Sequence, residues 1–400
     1  MSGVGANGRG RTTGGLRPEG PAAARAVLDR MGALRSEFLD FVQQLVLEES
    51  PSTEPDTQRG IQALLTSALR DVGLDVERIP GRRTGGHLLA RSPSAEAGGQ
   101  QLLIGHMDTV WPVGTLRRMP VVADDGRLSG PGVFDMKAGL AIGVFALRAL
   151  RDLGLDTGVA PVFFINSDEE IGSPESEPLV VDWARRVSRA FVLEPALGPG
   201  GCLKTRRKGI GHYRVEVSGR SSHAGLAPEE GASAILELAH RIREIDGLAD
   251  PDSGTTMNVG VIRGGSRANV VAPEASAEVD VRVWSAAEAE RIRAAMFGLE
   301  PTVPGTSITV TEIAARGPLE RTPRNVELWE RALLVAGELG LELEEGSAGG
   351  GSDGNLTSQY TATLDGLGAV GDGAHAVHEF VYVDRVIERV ALLAGLLATP

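Results

Sequence analysis

Five short stretches of this chain set metal-binding or proton-transferring side chains against apolar runs. GHMDTV (105–110) places His106 two residues before Asp108. On an extended segment that spacing puts both on one face. The carboxylate can then accept a hydrogen bond from one imidazole nitrogen while the other nitrogen binds a cation. GPGVFDMKAG (130–139) puts Asp135 where a Gly-rich loop meets a helical segment. INSDEEIGSPES (165–176) lines up Asp168, Glu169 and Glu170 after an apolar run. Three adjacent negative charges there cost free energy unless something positive offsets them. Neighbours on an extended segment point to opposite sides, so Glu169 and Glu170 do different work: one can bind a metal while the other faces substrate. LEPA (193–196) carries Glu194, and GDGAHAVHE (371–379) supplies His375, His378 and Glu379.

Taken singly, each has an ordinary structural explanation, such as a satisfied core histidine, a helix N-cap or a charged surface turn. Taken together, they fall at the C-terminal ends of strands or just after them, the edge at which open α/β sheets bind ligands. Two histidines, a bridging carboxylate and two terminal carboxylates make a set that suits two Zn²⁺ ions, and Co²⁺ or Mn²⁺ would fit the same donors. Two such ions would activate a water and polarise a carbonyl. An acid beside a ligand could then move the proton.

The elements that must hold these residues follow from periodicity. Helical patterns cover about 23–48 and 56–73, and another runs 136–153. Apolar runs at 101–108, 161–169 and 190–196 read as buried strands, and their alternation with helices predicts an α/β domain with a mixed, largely parallel sheet. Between about 209 and 317 the rhythm becomes β-α-β-β-α-β, the pattern of a small ferredoxin-like α+β domain. The expected organisation is therefore a discontinuous catalytic domain, 23–208 and 318–400, with an inserted domain at 209–317 that serves as lid and dimerisation surface. Hinges near 208 and 317 would let the two close on a substrate.

Composition removes several alternatives. Of 400 residues, the first 22 or so lack an apolar stretch typical of a secretory signal and read as a disordered tail, so the expected location is cytoplasmic. A formal charge of −13 argues against nucleic acid as partner, and no apolar run is long enough to span a membrane. The single cysteine, Cys202, excludes an intrachain disulfide and a thiolate metal cluster. GVGANG (3–8) matches a dinucleotide-binding fingerprint in letters only, because no strand precedes it and no helix follows. GGGSDG (349–354) lacks the lysine of a P-loop and reads as a turn whose N–H groups approach a carboxylate.

GHMDTV, GPGVFDMKAG, SDEEIGS, LEPA, GRSSHAG and G-x-H-x-x-x-E, in that order over about 26–400, resemble the M20 metallopeptidases, particularly the glutamate carboxypeptidase type. The resemblance implies Asp135 as bridging ligand, His106 and Glu194 completing one zinc site, and Glu170 and His375 the other. It implies Glu169 as general base and acid, Asp108 as the orienting partner of His106, and a cis peptide after Asp135. His378 stands where many relatives have Asn, and His375 is kept as the ligand. By the same resemblance His223 would reach across a homodimer to stabilise the oxyanion in the partner's site. Asn269 and Arg282 would grip substrate, Arg282 by a bidentate pair to a carboxylate that the loop at Gly351 and Ser352 helps to hold.

The expected activity is amide hydrolysis releasing a C-terminal amino acid, glutamate or another carboxylate-bearing residue, from a small peptide or N-acyl conjugate. An N-acyl-amino-acid deacylase or biosynthetic deprotecting enzyme is the alternative, and an inactive binding protein a minor one. Cys202 falls near where glutamate-specific relatives carry a lysine, a substitution that speaks against strict glutamate specificity. KTRRKG (204–209) could receive an acidic group through Lys204 or Arg206, or be a solvated hinge.

Overall fold

The computed structural model describes residues 19–92 and 99–400. Residues 1–18 of the expected tail, and GVGANG with them, lie outside the described residues. The rest of that expected span, up to residue 22, is not a disordered tail, because Pro21 already opens a helix and the Gly20 amide donates to Ala398 O.

In chain order the first part comprises α1 (Pro21–Leu47), α2 (Arg59–Asp71), β1 (Asp75–Ile79), β2 (His87–Arg91), β3 (Gln100–His106), β4 (Val122–Asp124) and β5 (Arg127–Ser129). It continues through α3 (Ala138–Asp152), β6 (Ala160–Asn166), α4 (Glu177–Arg186), β7 (Arg189–Val192) and β8 (Leu203–Arg207). Next come β9 (Gly209–Ser218), α5 (Ala234–Asp246), β10 (Thr256–Gly264), β11 (Glu274–Val283), α6 (Ala286–Phe297) and β12 (Ser307–Arg316). The chain ends with α7 (Pro323–Leu339), β13 (Glu345–Ala348), α8 (Asp353–Thr357), β14 (Ala362–Leu364), β15 (Gly371–Asp372), β16 (Phe380–Tyr382) and α9 (Val383–Ala398).

The main sheet has the order β1-β2-β6-β3-β7-β14, in which β6, β3, β7 and β14 are parallel and β1 and β2 antiparallel. Both faces are covered, which is why its inner strands read as unbroken apolar runs. Leu103, Phe163, Ile165 and Phe191 pack under α1, α3, α7 and α9; Leu102, Ile104, Phe164 and Val192 pack toward Val180 and Trp183 of α4. Helix α3 comes unusually close to the sheet through Gly139 and Gly143. A Cβ at Gly139 would lie 2.1 Å from Leu193 O, and one at Gly143 2.7 Å from the Phe163 ring. That approach holds the start of α3, and Asp135 just before it, against the C-terminal edge of the sheet.

Strands β9 to β12 form a separate antiparallel sheet, order β10-β11-β9-β12, with α5 and α6 on one face over a core of Val215, Val217, Leu238, Val279, Ile292 and Met296. Ser233 and Ser285 cap the two helices by accepting from Leu236 N and Glu288 N. Helix α5 begins at Ala234, after a separate 3₁₀ turn at Pro228–Glu230. Among the described residues no helix is long and apolar enough to cross a membrane.

A candidate two-metal centre

His106 is the last residue of β3, and its ring is buried. Its Nε2 lies 3.2 Å from Asp135 Oδ1 and 3.5 Å from Glu194 Oε1. The other Asp135 oxygen faces His375, whose Nε2 is 3.6 Å from Asp135 Oδ2 and 3.1 Å from Glu170 Oε2. Two triads result, His106–Asp135–Glu194 and Asp135–Glu170–His375, with the donor atoms of each within 4.8 Å of one another. Asp135 belongs to both.

The surrounding residues aim these side chains. Asp135 sits in an irregular turn after Gly132 and is joined to Met136 by a cis bond. The buried Glu379 carboxylate holds that turn by accepting from Gly132 N (2.9 Å), Phe134 N (2.8 Å), Asp135 N (3.1 Å) and Trp111 Nε1 (2.9 Å). His106 Nδ1 faces Asp108 twice, the main-chain oxygen at 3.0 Å and the carboxylate at 3.5 Å. The Asp108 carboxylate has a second task that its spacing from His106 did not suggest. It accepts from Ser52 Oγ (2.6 Å), Glu169 N (3.3 Å) and Glu170 N (3.2 Å), tying the acid pair to the His106 strand end.

The acid triplet is not extended. Strand β6 stops at Asn166, and Asp168 folds the chain back by accepting from Glu175 N, Ser176 N and Ser176 Oγ. Glu169 and Glu170 therefore diverge from a 3₁₀ turn rather than from a pleat. Glu170 turns toward His375. Glu169 turns toward Arg316 at the end of β12, 3.7 Å away, and Arg316 also lies 3.6 Å from the buried Asp353. Neither Arg316 nor Asp353 stood out in the sequence, since no motif links a strand end at 316 to an acid at 169.

The electrostatics suit a cation. Burial and the neighbouring Glu194 push the Glu169 carboxyl well above the usual range. Burial raises Glu170 too, against the pull of His375 and His106. For His106 burial opposes the charge, but hydrogen bonds to Asp108, Asp135 and Glu194 outweigh it and raise the imidazole well above its ordinary value. The hydrogen bond to Glu170 raises His375 to about 9. The donor set itself fits divalent ions, with two imidazole nitrogens and three carboxylates in two clusters joined by one bridging group. Glu170 Oε1 is buried with no hydrogen-bond partner, an acceptor still to be satisfied.

A cavity of about 590 Å³ opens on the centre, lined by Asp135, Glu169, Glu170, Glu194, Lys204, Arg207, Gly350, Gly351 and the 371–378 loop. KTRRKG does not act as one basic patch or as a solvated hinge. Lys204 and Arg207 are buried at the cavity, whereas Arg206 and Lys208 lie over the Trp284 ring. Cys202 Sγ faces Glu344 at 3.8 Å.

Other expected residues sit differently. Gly351 lines the cavity, but Ser352 is fully buried, donating to Asp365 and capping α8, so its hydroxyl has no reach into it. Arg282, on β11, is already bound bidentately by Asp280 at 2.8 and 3.0 Å. His223 and Asn269 lie together on an exposed loop pair of the β9–β12 unit, bridged through His223 and Val270, and neither lines the cavity. His378 does line it, and its neighbour Val377 is exposed.

Two His/carboxylate triads, one largely buried and one reaching the surface at His375, thus adjoin at the C-terminal edge of a mixed α/β sheet. The chain belongs to peptidase family M20/M25/M40, whose family model matches residues 102–399. It is 27% identical over 367 residues to carboxypeptidase G2 of Pseudomonas sp. (strain RS-16), covering 89% of this chain and 87% of that protein. It is 28% identical over 378 residues to succinyl-diaminopimelate desuccinylase of Methylobacterium radiotolerans, covering 89% and 95%. Aminopeptidase PepT of Bacillus cereus shares the fold, with a TM-score of 0.73 at 22% identity over 91% of this chain and 98% of that one.

Proposed function

We propose that this enzyme is a co-catalytic dizinc amide hydrolase that releases a C-terminal amino acid, glutamate or another carboxylate-bearing residue, from a peptide or N-acyl conjugate. The observation that carries this reading is Asp135, whose two oxygens face two different histidines in two adjoining triads. In this reading His106 and Glu194 hold one ion, Glu170 and His375 the other, and Asp135 bridges them. Bound there, the pair would activate a water and polarise the scissile carbonyl. Glu169, adjacent to a ligand but turned away from His375, takes a proton from the attacking water and delivers it to the leaving nitrogen. Burial and the neighbouring Glu194 raise its carboxyl, as suits a group that must both accept and return a proton.

A deacylase acting on N-acyl amino acids uses the same site, and relatives named succinyl-diaminopimelate desuccinylase and acetylornithine deacetylase favour that version. The β9–β12 unit serves as lid and as homodimer surface in this reading. Its edge strand β10 and the start of α5 expose Val261, Ile262, Ile235 and Leu236, an apolar group that a second copy would cover. His223, with Asn269 beside it, would then act in the partner's cavity on the oxyanion.

Glu169→Gln should keep about two ions per chain while turnover of N-acyl amino acids drops by orders of magnitude. Unchanged turnover would remove Glu169 from the mechanism. Mixing these chains with His223→Ala chains should restore part of the activity, because one site of each heterodimer then has both groups. Confirmed heterodimers without recovery would refute the shared site.

A further inference from the structure

The chain passes between the metal-centre part and the β9–β12 unit at two points, Lys208 after β8 and Gly317 after β12. The two crossings lie side by side. Arg207 and Leu319 exchange both amide hydrogen bonds, at 2.9 and 3.1 Å. Each crossing turns one carbonyl toward the same place, and one side chain takes both. Asn355 Nδ2 donates to Lys208 O at 3.1 Å and to Gly317 O at 2.8 Å, and the residue is fully buried. Its Oδ1 accepts from Ser352 N at 3.0 Å in the capping box of α8. Gln359 braces the same strand, donating to Pro318 O at 2.7 Å and to Asn355 O at 3.1 Å.

The cap needs only an acceptor oxygen, which a carboxylate would supply equally well. A carboxamide adds two hydrogens on one nitrogen, one for each crossing carbonyl. The segment that carries Asn355 also reaches the cavity. Gly350 and Gly351 line it, and a Cβ at Gly351 would lie 2.9 Å from Ile210 Cδ1 of β9. Arg316, one residue before the second crossing, lies 3.7 Å from Glu169, so a shift of Gly317 carries Arg316 with it. We infer that Asn355 is a positioning residue: its carboxamide pins both crossings to the cavity edge and fixes the axis on which the β9–β12 unit, with Arg316, turns toward Glu169. Two strands held by one amide can rotate at that point but cannot slide past one another. A substrate that presses on Gly350 and Gly351 reaches the pin through one hydrogen bond, from Ser352 N to Asn355 Oδ1.

The effect on turnover rests on the amide-hydrolase reading; the pin itself does not. Asn355→Asp keeps the cap acceptor and the shape but sets an oxygen against two carbonyls. Hydrogen exchange at the Arg207, Lys208 and Leu319 amides should speed up roughly ten- to a hundredfold, as for buried carbonyls that lose their donor. Exchange within α8 should stay at the wild-type rate. Turnover is read on zinc-loaded full chain with the N-acetyl amino acid that the wild type cleaves fastest among acidic, aliphatic and aromatic ones. There kcat should fall roughly ten- to a hundredfold, and KM should shift with it. If the variant does not fold, Asn355→Ala, which leaves space in place of repulsion, carries both measurements. Wild-type exchange at the crossings overturns the pin. Faster exchange with kcat and KM unchanged, or a lower kcat at unchanged KM in proportion to lost folded protein, overturns the positioning role. An inactive wild type defeats the hydrolase reading and the positioning role with it, while the exchange rates still decide whether Asn355 holds the crossings.

Discussion

The two halves of the candidate metal centre are built in different ways. His106 ends a central strand, is 1% exposed, and faces Asp108, Asp135 and Glu194 inside the protein. Glu194 is in turn held by the buried Arg207. His375 hangs on the 371–379 loop at a positive φ of 60°, with its side chain 52% exposed, and among the described residues Glu170 and Asp135 face its ring. One half is preorganised by the sheet, and the other is completed by a loop. If two ions bind as proposed, the one beside His106 should behave as part of the scaffold, and the one beside His375 as exchangeable.

Paired histidine variants should break that symmetry most. In metal-free protein, His106→Ala leaves buried carboxylates without their donor and should cost about 1–3 kcal/mol, read as a lower denaturation midpoint. His375→Ala removes a partly exposed ion pair and should cost less than His106→Ala. Equal losses would erase the distinction. Both variants should lose more than about a hundredfold in turnover, beyond the range for outer-sphere partners.

Next comes Glu379→Gln. It keeps the shape but replaces one acceptor oxygen by a donor facing backbone N–H groups, so the Asp135 turn should loosen. Ion affinity should fall about ten- to a hundredfold at both sites, since Asp135 serves both. Titration against a competing chelator would show it, and a loss confined to one site would mean that Asp135 does not bridge.

The smallest effect is graded by pH. His375 is raised to about 9 by Glu170. In metal-free protein its stabilising contribution is fully present below its unfolded value near 6.5. It is lost as pH rises through about 9. A metal must displace that proton, so affinity at the His375 site should rise about tenfold per unit between pH 7 and 9. An ion at the His106 site, where the imidazole is buried, should be released more slowly throughout. Stopped-flow chelation with a single rate for both ions would contradict the comparison.

Much of this molecule could be read directly from the sequence. The buried strands at β3, β6 and β7 show as apolar runs, α1, α2 and α3 as periodic helices, and the 209–316 unit as a change of rhythm, because burial on one or two faces imprints a local period. The donors were readable for a related reason: His106, Asp135, Glu170, Glu194 and His375 each follow an apolar stretch or a glycine cluster within a few residues. Strands β1 and β2, helix α4 and the small sheet of β4, β5, β15 and β16 carried no such mark. They are short, half-exposed, or paired with segments far along the chain.

What the sequence determined by itself was the inventory: which side chains could hold a cation, and the α/β framework that carries them. Tertiary structure alone decided which of them meet. Glu379 grips the Asp135 turn from 244 residues away, Arg207 anchors Glu194, and Arg316 crosses from the β9–β12 sheet to Glu169. Ser352 and Arg282, equally conspicuous in the sequence, are instead spent on Asp365 and Asp280. Local periodicity reports burial, whereas a hydrogen-bond partner is chosen by packing between distant segments, and no short-range pattern encodes that choice.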